Sequence, residues 1–495
     1  MKDLAAYILT ITSISERLND AMSLRHSLAT LKLPNEVEVL PCIYWKDEAS
    51  IIKFLSEFPE HTFSRDYLDV CLKGQVCCTL SHIKAWRKLV NSDHEGAFIF
   101  EDDIYISDTN HFREIVKSIS NTKNLDWLRI HLHKQFRTEI LQTKSSSMFV
   151  NDPSIWGFAA YYVSRHGAEK LLSSFHNIYQ NIDNIIPDLG KKGVLKCKTV
   201  KKVVVEHHAF NGDEKDLENR QEIERTAIKL QKSISTIYSS PKFTKGEPLY
   251  QFILKLDQIR KLRTHGYTVL KGVVDNEMIE QSRNQVLDNL SLFKNTRPTP
   301  SALHLAGFHR FPELESLHTA LSSNTTVLDF LKAALKDKDV RTIGLSDITI
   351  NRSQGWHKDL LRDGFQSYLG NQDICWGDNG GGVYKILLFL QSGSGLKVVK
   401  GSHLLPTSLE NDTYSEPDDD DSLVKSVPVE AGDIIVMDIR TSHRGSPEKV
   451  FQCEDYVNHP RILISTVLGC NDSELTKAME IGNFHRLIDW MERNP

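Results

Sequence analysis

The sequence lacks an uncharged apolar run near the 18 residues that crossing a bilayer requires, so nothing in it reads as a membrane span. It lacks a charge of one sign in excess. A net charge of -5 over 495 residues gives no electrostatic reason for nucleic acid or an anionic lipid surface as partner. It has eight cysteines but no CxxC pair, and Cys77 and Cys78 are adjacent. That pattern is neither a disulfide framework nor a zinc ribbon, and it fits reduced, buried thiols in a cytoplasmic protein. The opening stretch, MKDLAAYILTITSISER, sets Asp3 after Lys2 and reads as a first β-strand rather than a signal peptide. No internal repeat is visible.

What is present is an ordinary globular balance, 40% hydrophobic and 25% charged, in a chain too long for one core. Residues 1–210 alternate strand-like and helix-like stretches. YILTI is a strand, the next 17 residues have helical spacing with Ser15 as N-cap, and GAFIFEDDIYI is a buried strand. Such alternation predicts an α/β sheet layer. Residues 211–250 turn charged and then rich in Ser, Pro and Gly, and read as a helical and polar linker. Residues 251–495 form a second domain. Beyond 340 it becomes a series of short strands with turn signals, which predicts an antiparallel barrel or sandwich.

Two groups of residues carry chemistry. In WHKD, His357 and Asp359 stand two apart, so on a strand both would face one side and share a metal. A ferrous centre that activates oxygen needs two imidazoles and a carboxylate on one face, with the other face open. The second imidazole would be His443, after the strand AGDIIVMDIRTS. In IFEDDIYI, carboxylates end an apolar strand, where open α/β sheets bind ligands. Glu101 and Asp103 share a face and would hold a divalent ion, Asp103 first.

The order of GYTVLKGVV, WHKD, GLKVVKGSH, AGDIIVMD and SHRGSP over residues 255–490 resembles the phytanoyl-CoA dioxygenase family. That resemblance implies a double-stranded β-helix (jelly-roll, cupin-like) with flanking helices, and an oxygenase using Fe(II), O2 and 2-oxoglutarate. It assigns His357, Asp359 and His443 to iron and Arg461 to the far carboxylate of 2-oxoglutarate. Lys385, a charge inside an apolar strand, is either a second contact to 2-oxoglutarate or substrate, or an edge or snorkelling lysine. YILTITSISERL, GQVCCTLSHIKAW, FIFEDDIYIS and GFAAYYVSRHGAEKLL over residues 3–210 resemble glycosyltransferase family 25. There Cys77 stands where the family has a glycine. The resemblance implies a GT-A fold, Mn2+ and a UDP-sugar donor, commonly UDP-galactose. It makes Arg17 a donor contact, Asp183 a candidate general base or acceptor contact, and His207 or His208 a late ligand to manganese.

Together these features predict a bifunctional enzyme that transfers a hexose from a UDP-hexose and hydroxylates a C–H bond. The acceptor would be a glycan, glycoconjugate or peptide. Hydroxylation and glycosylation of lysine in a collagen-like chain, or an oxygenase carrying an inactive glycan-binding module, are the alternatives.

Overall fold

The computed structural model describes residues 3–32, 34–122, 124–131, 147–151, 158–207, 240–295, 301–370, 373–376, 381–405, 422–452 and 455–494. The chain divides into two compact units, Met1–Asp257 and Gln258–Pro495. Most of the stretch expected as linker lies outside the described residues. Its end does not: Phe243, Leu249, Tyr250 and Ile253 are buried in the core of the first unit. Among the described residues no helix is long and apolar enough to cross a membrane.

The first unit is built on a seven-stranded mixed sheet. Its order is Glu36–Pro41, Leu4–Thr10, Gly96–Glu101, Ala160–Ser164, Trp127–Arg129, Cys197–Val200 and Phe149–Asn151. The period-two alternation of strands sorts side chains between two faces. Tyr7, Leu9, Ala97, Ile99, Tyr161 and Val163 join one core with the helix Lys73–Val90. Ala6, Ile8, Phe98, Phe100, Ala160 and Tyr162 join the other with the helices Ser15–Leu31 and Thr109–Asn121. Each fully buried apolar side chain of this kind stabilises the fold by about 1.5–3 kcal/mol. The first helix begins at Ser15 itself, with Ile14 in the cap position and no side-chain cap bond, so the expected Ser15 cap is displaced by one residue. Cys77 is a buried packing residue, so the departure from glycine at that position falls in the core.

The second unit has two antiparallel sheets. The larger runs Tyr267–Leu270, Ile434–Asp438, Val383–Phe389, Ile462–Cys470, Asp347–Ile350 and Leu303–Ala306, with Val340–Thr342 added on Ile462–Cys470. The smaller is Val424–Val429, Gly393–Val399 and His443–Arg444. Leu387, Phe389, Ile435 and Met437 of the larger sheet pack with Leu396, Val398, Val427 and Val429 of the smaller, so the two face each other. The outer face of the larger sheet is covered by Ile279 and Val286 from Asn276–Asp288 and by Val327, Phe330 and Leu331 from Thr325–Ala334.

Candidate functional site

Three neighbouring strands of the larger sheet send every second side chain into a cavity. Lys385, Leu387 and Phe389 come from one, Leu463, Ser465 and Val467 from the next, Asp347 and Thr349 from the third. Register sets Lys385 opposite Val467, and Leu387 opposite Ser465. Leu396 and His443 line the cavity from the smaller sheet. Met479, Asn483 and Arg486 close it from the helix Glu474–Arg493, whose N-terminus is capped by Ser473.

His357, Asp359 and His443 meet at this cavity, with one donor atom from each within 4.8 Å of the others. His357 Nε2 lies 3.8 Å from Asp359 Oδ1, and His443 Nε2 lies 3.5 Å from Asp359 Oδ2. An ion with ligand bonds of about 2.1 Å sets neighbouring donors about 3 Å apart, so only a small contraction would be needed. Each imidazole uses Nδ1 to donate to a main-chain carbonyl, Gly355 at 2.8 Å and Thr441 at 2.9 Å. That bond fixes the tautomer and leaves the Nε2 lone pair for a metal. On His357 that lone pair accepts the Gln354 side-chain amide at 2.6 Å. Burial pushes both imidazoles below their ordinary range, His357 further because His443 is beside it. Burial alone would raise Asp359, but Lys385, then His443 and His357, hold it well below the usual carboxylate range. The donor set is two neutral imidazoles and one carboxylate, which fits a ferrous ion.

The expected strand under His357 and Asp359 is absent. His357 forms a single bridge to His443, and Asp359 N–H donates to Ile439 at 3.0 Å. Two tethers to the smaller sheet and its approach do the work that a ladder would have done. Lys385 is no edge lysine, because its strand lies between two others. Its Nζ reaches Asp359 Oδ2 at 4.0 Å.

Arg461 stands just before the strand Ile462–Cys470. Asn351 clamps its backbone in both directions, accepting from Arg461 N–H at 2.8 Å and donating its own N–H to Arg461 at 2.9 Å. The guanidinium donates to Ser446 Oγ at 2.6 Å and lies 5.1 Å from the centre of the Phe389 ring. It has no carboxylate partner among the described residues. A side chain on Gly395 would push the Arg461 guanidinium and the Ser446 hydroxyl out of these positions, so glycine leaves them their room. An unmatched cavity arginine braced in this way fits one end of a dicarboxylate. Arg444 turns elsewhere, toward the Trp356 ring at 5.5 Å.

The cavity also holds cations that the sequence reading passed over. Arg352, Arg362 and Arg486 line it with Lys385 and Arg461, against Asp347 and Asp359 as the acids among the described residues. Arg486 donates to Asn483 at 3.4 Å. Met479, Asn483 and Arg486 recur at helical spacing, a signal that the sequence offered.

In the first unit, the Glu-Asp-Asp run at the end of Gly96–Glu101 splits. Glu101 Oε1 lies 3.6 Å from His82 Nε2. Asp102 pairs with Arg17, at 2.8 Å from Nη2 and 3.0 Å from Nε. Burial raises Asp102 to about 7 against the pull of Arg17. Asp102, Asp103 and Glu101 together hold Arg17 above its ordinary value, against burial. Asp183 opens the helix Ile182–Lys191. Burial, reinforced by Glu101, raises it to about 6. His207 ends a strand paired with Ile104–Ile106. His208 lies outside the described residues.

The family model described as "Glycosyltransferase family 25 (LPS biosynthesis protein)" matches residues 37–186. The N-terminal resemblance read from the motifs agrees with it. No curated protein matches the chain. Among solved structures, the chain is similar to the non-heme alpha ketoglutarate dependent epimerase SnoN from nogalamycin biosynthesis (15% identity, 44% of this chain and 83% of that chain, TM-score 0.34). It is similar also to AviO1 from Streptomyces viridochromogenes Tue57 (18% identity, 44% and 96% of the two chains, TM-score 0.31). A third is HygX from Streptomyces hygroscopicus with nickel, 2-oxoglutarate and hygromycin B bound (17% identity, 44% and 87%, TM-score 0.31).

Proposed function

We propose that this chain is a bifunctional enzyme: an Fe(II)/2-oxoglutarate oxygenase of double-stranded β-helix type, joined to a glycosyltransferase that uses a UDP-hexose. The observation that carries the oxygenase half is the His357–Asp359–His443 donor set opening onto a cavity that also holds Arg461.

Bound at that set, Fe(II) with 2-oxoglutarate and O2 supplies oxidative hydroxylation of a C–H bond, with succinate and CO2 released. The chain's own residues prepare it. Asp359 stays ionised because the Lys385 ammonium favours its anion. The imidazoles stay neutral and held by Gly355 and Thr441. Arg461, braced by Ser446, receives the far carboxylate of the cosubstrate with its planar fork. Gln354 must leave His357 Nε2 when an ion binds. Lys385 and Arg486 remain on the wall for the primary substrate, which we take to carry a phosphate or carboxylate group.

In the first unit, the diphosphate of the donor and its Mn2+ are assigned to Asp103, with Arg17 beside it. Asp183 is the candidate base for the acceptor hydroxyl, since a base held near neutrality accepts a proton readily. The hexose is taken as galactose. Tethering the two activities raises the effective concentration of a shared intermediate in glycan or glycoconjugate assembly.

The test is mass spectrometry of a glycan and peptide pool incubated with UDP-galactose, 2-oxoglutarate, iron and manganese. Gain of one oxygen and one hexose on a single species is expected. Neither gain, with succinate release also absent, would sink the reading.

A further inference from the structure

The first unit contains a second group of side chains with metal-ligand chemistry. Cys78 and His82 stand four residues apart on the helix Lys73–Val90, so they project from one face. Glu101 meets them from the last position of the strand Gly96–Glu101. One donor atom from each of the three lies within 4.8 Å of the other two. His82 is buried, and its Nδ1 shares a 2.8 Å hydrogen bond with the Tyr161 hydroxyl. That hydroxyl accepts the Trp86 indole N–H at 2.9 Å. The ring is therefore held from behind, with Nε2 toward Glu101, as metal-bound imidazoles are.

We propose that Cys78, His82 and Glu101 bind a zinc-class divalent cation. The three donors are sulfur, nitrogen and oxygen. A thiolate selects against magnesium, calcium and manganese, and an imidazole with a carboxylate suits zinc. Ligand bonds of about 2.0–2.3 Å imply donor separations of about 3.3–3.7 Å in a tetrahedron. The 3.6 Å between His82 Nε2 and Glu101 Oε1 already meets that spacing. Three protein ligands leave a fourth position open, the arrangement of zinc sites that act on a bound water or substrate. Binding forms a sulfur–metal bond as the Cys78 S–H bond breaks, and the proton leaves to solvent. This assignment takes Glu101 out of the manganese pair that the sequence suggested with Asp103, shares no donor with the iron ligands, and is measurable without any transferase substrate.

Cobalt(II) is the probe, because a thiolate bound to it gives a charge-transfer absorption. The full-length chain carrying His357→Ala, which disables the iron site, is titrated with Co2+. One equivalent is expected to bind with thiolate charge transfer and tetrahedral visible bands, and Zn2+ should bleach both. Cys78→Ser should lose the charge-transfer band while Cys77→Ser keeps it. Glu101→Gln, which keeps the size of a partly exposed side chain, should weaken Co2+ binding at least tenfold. Absence of the band in the parent, its survival in Cys78→Ser, or unchanged affinity in Glu101→Gln would each overturn the assignment.

Discussion

His357 and His443 exchange two main-chain hydrogen bonds, each N–H donating to the other's carbonyl at 2.9 Å, and their imidazole centres lie 4.2 Å apart. One antiparallel bridge thus joins two residues 86 positions apart in the sequence. The third donor, Asp359, follows two residues later on the same extended segment. Replacing His357 or Asp359 by alanine should lower iron affinity by at least about a hundredfold and remove iron-dependent succinate formation. Iron titration and a succinate assay check both effects. Wild-type turnover in either variant would mean that iron is held elsewhere.

Arg461 should act on the cosubstrate alone. A charged, two-pronged hydrogen bond is worth about 2–3 kcal/mol, so Arg461→Gln should raise the KM for 2-oxoglutarate by about a hundredfold. Arg461→Lys should recover only part, because an ammonium lacks the fork. An unchanged KM in the glutamine variant would reassign that carboxylate to Lys385.

Arg486 should act on the primary substrate instead. In Arg486→Gln, 2-oxoglutarate turnover without substrate should persist at the parent rate. Inorganic phosphate, used as a competing anion, should inhibit the parent enzyme and lose at least about tenfold in potency against the variant. Equal inhibition of both would argue against an anionic substrate at this wall.

Asp103→Asn should remove Mn2+-dependent hydrolysis of UDP-galactose by the first unit. The amide keeps the shape but loses the charge that a hard cation needs. Activity at the parent level would move the assignment to Asp102, with its Arg17 partner displaced.

His318 gives the second unit a pH dependence of its own. Burial, then neighbouring His309, lowers His318 to about 4, and the two rings lie 5.0 Å apart. Its Nε2 is buried with no hydrogen-bond partner among the described residues. A depressed pKa leaves stability intact above the unfolded value near 6.5 and removes it as pH falls toward 4. From pH 7.5 to 5 stability should fall, by less than about 2 kcal/mol because solvent screens a half-buried ring. His318→Gln should flatten that slope in thermal or urea unfolding; an equally steep slope would place the sensitivity elsewhere.

Much of the architecture was legible before the structure. The continuous apolar runs YILTI and GAFIFE marked central strands, because a strand buried on both faces is apolar throughout. That His357, Asp359 and His443 belong together was legible from motif order. Their support was not. The segment around His357 has no ladder of its own, so its shape depends on contacts with Ile439 and His443 that local spacing cannot encode. The same limit hid the fate of the Glu-Asp-Asp run. Alternation said that Glu101 and Asp103 share a face. The strand ends at Glu101, and beyond it period two no longer governs side-chain direction.

By itself, the sequence determined the division of labour: which residue types are present, in which order, and which stretches are strands or helices. Those features follow from local propensity and from the need to bury apolar faces. Tertiary structure alone decided which charges meet. Lys385 became a cavity cation because its strand is central, and Arg486 joined it because a helix 101 residues further on closes the same cavity. Cys78, His82 and Glu101 converge for the same reason. One helix face and one strand end are brought together by packing, and electrostatic neighbours are a property of space rather than of sequence distance.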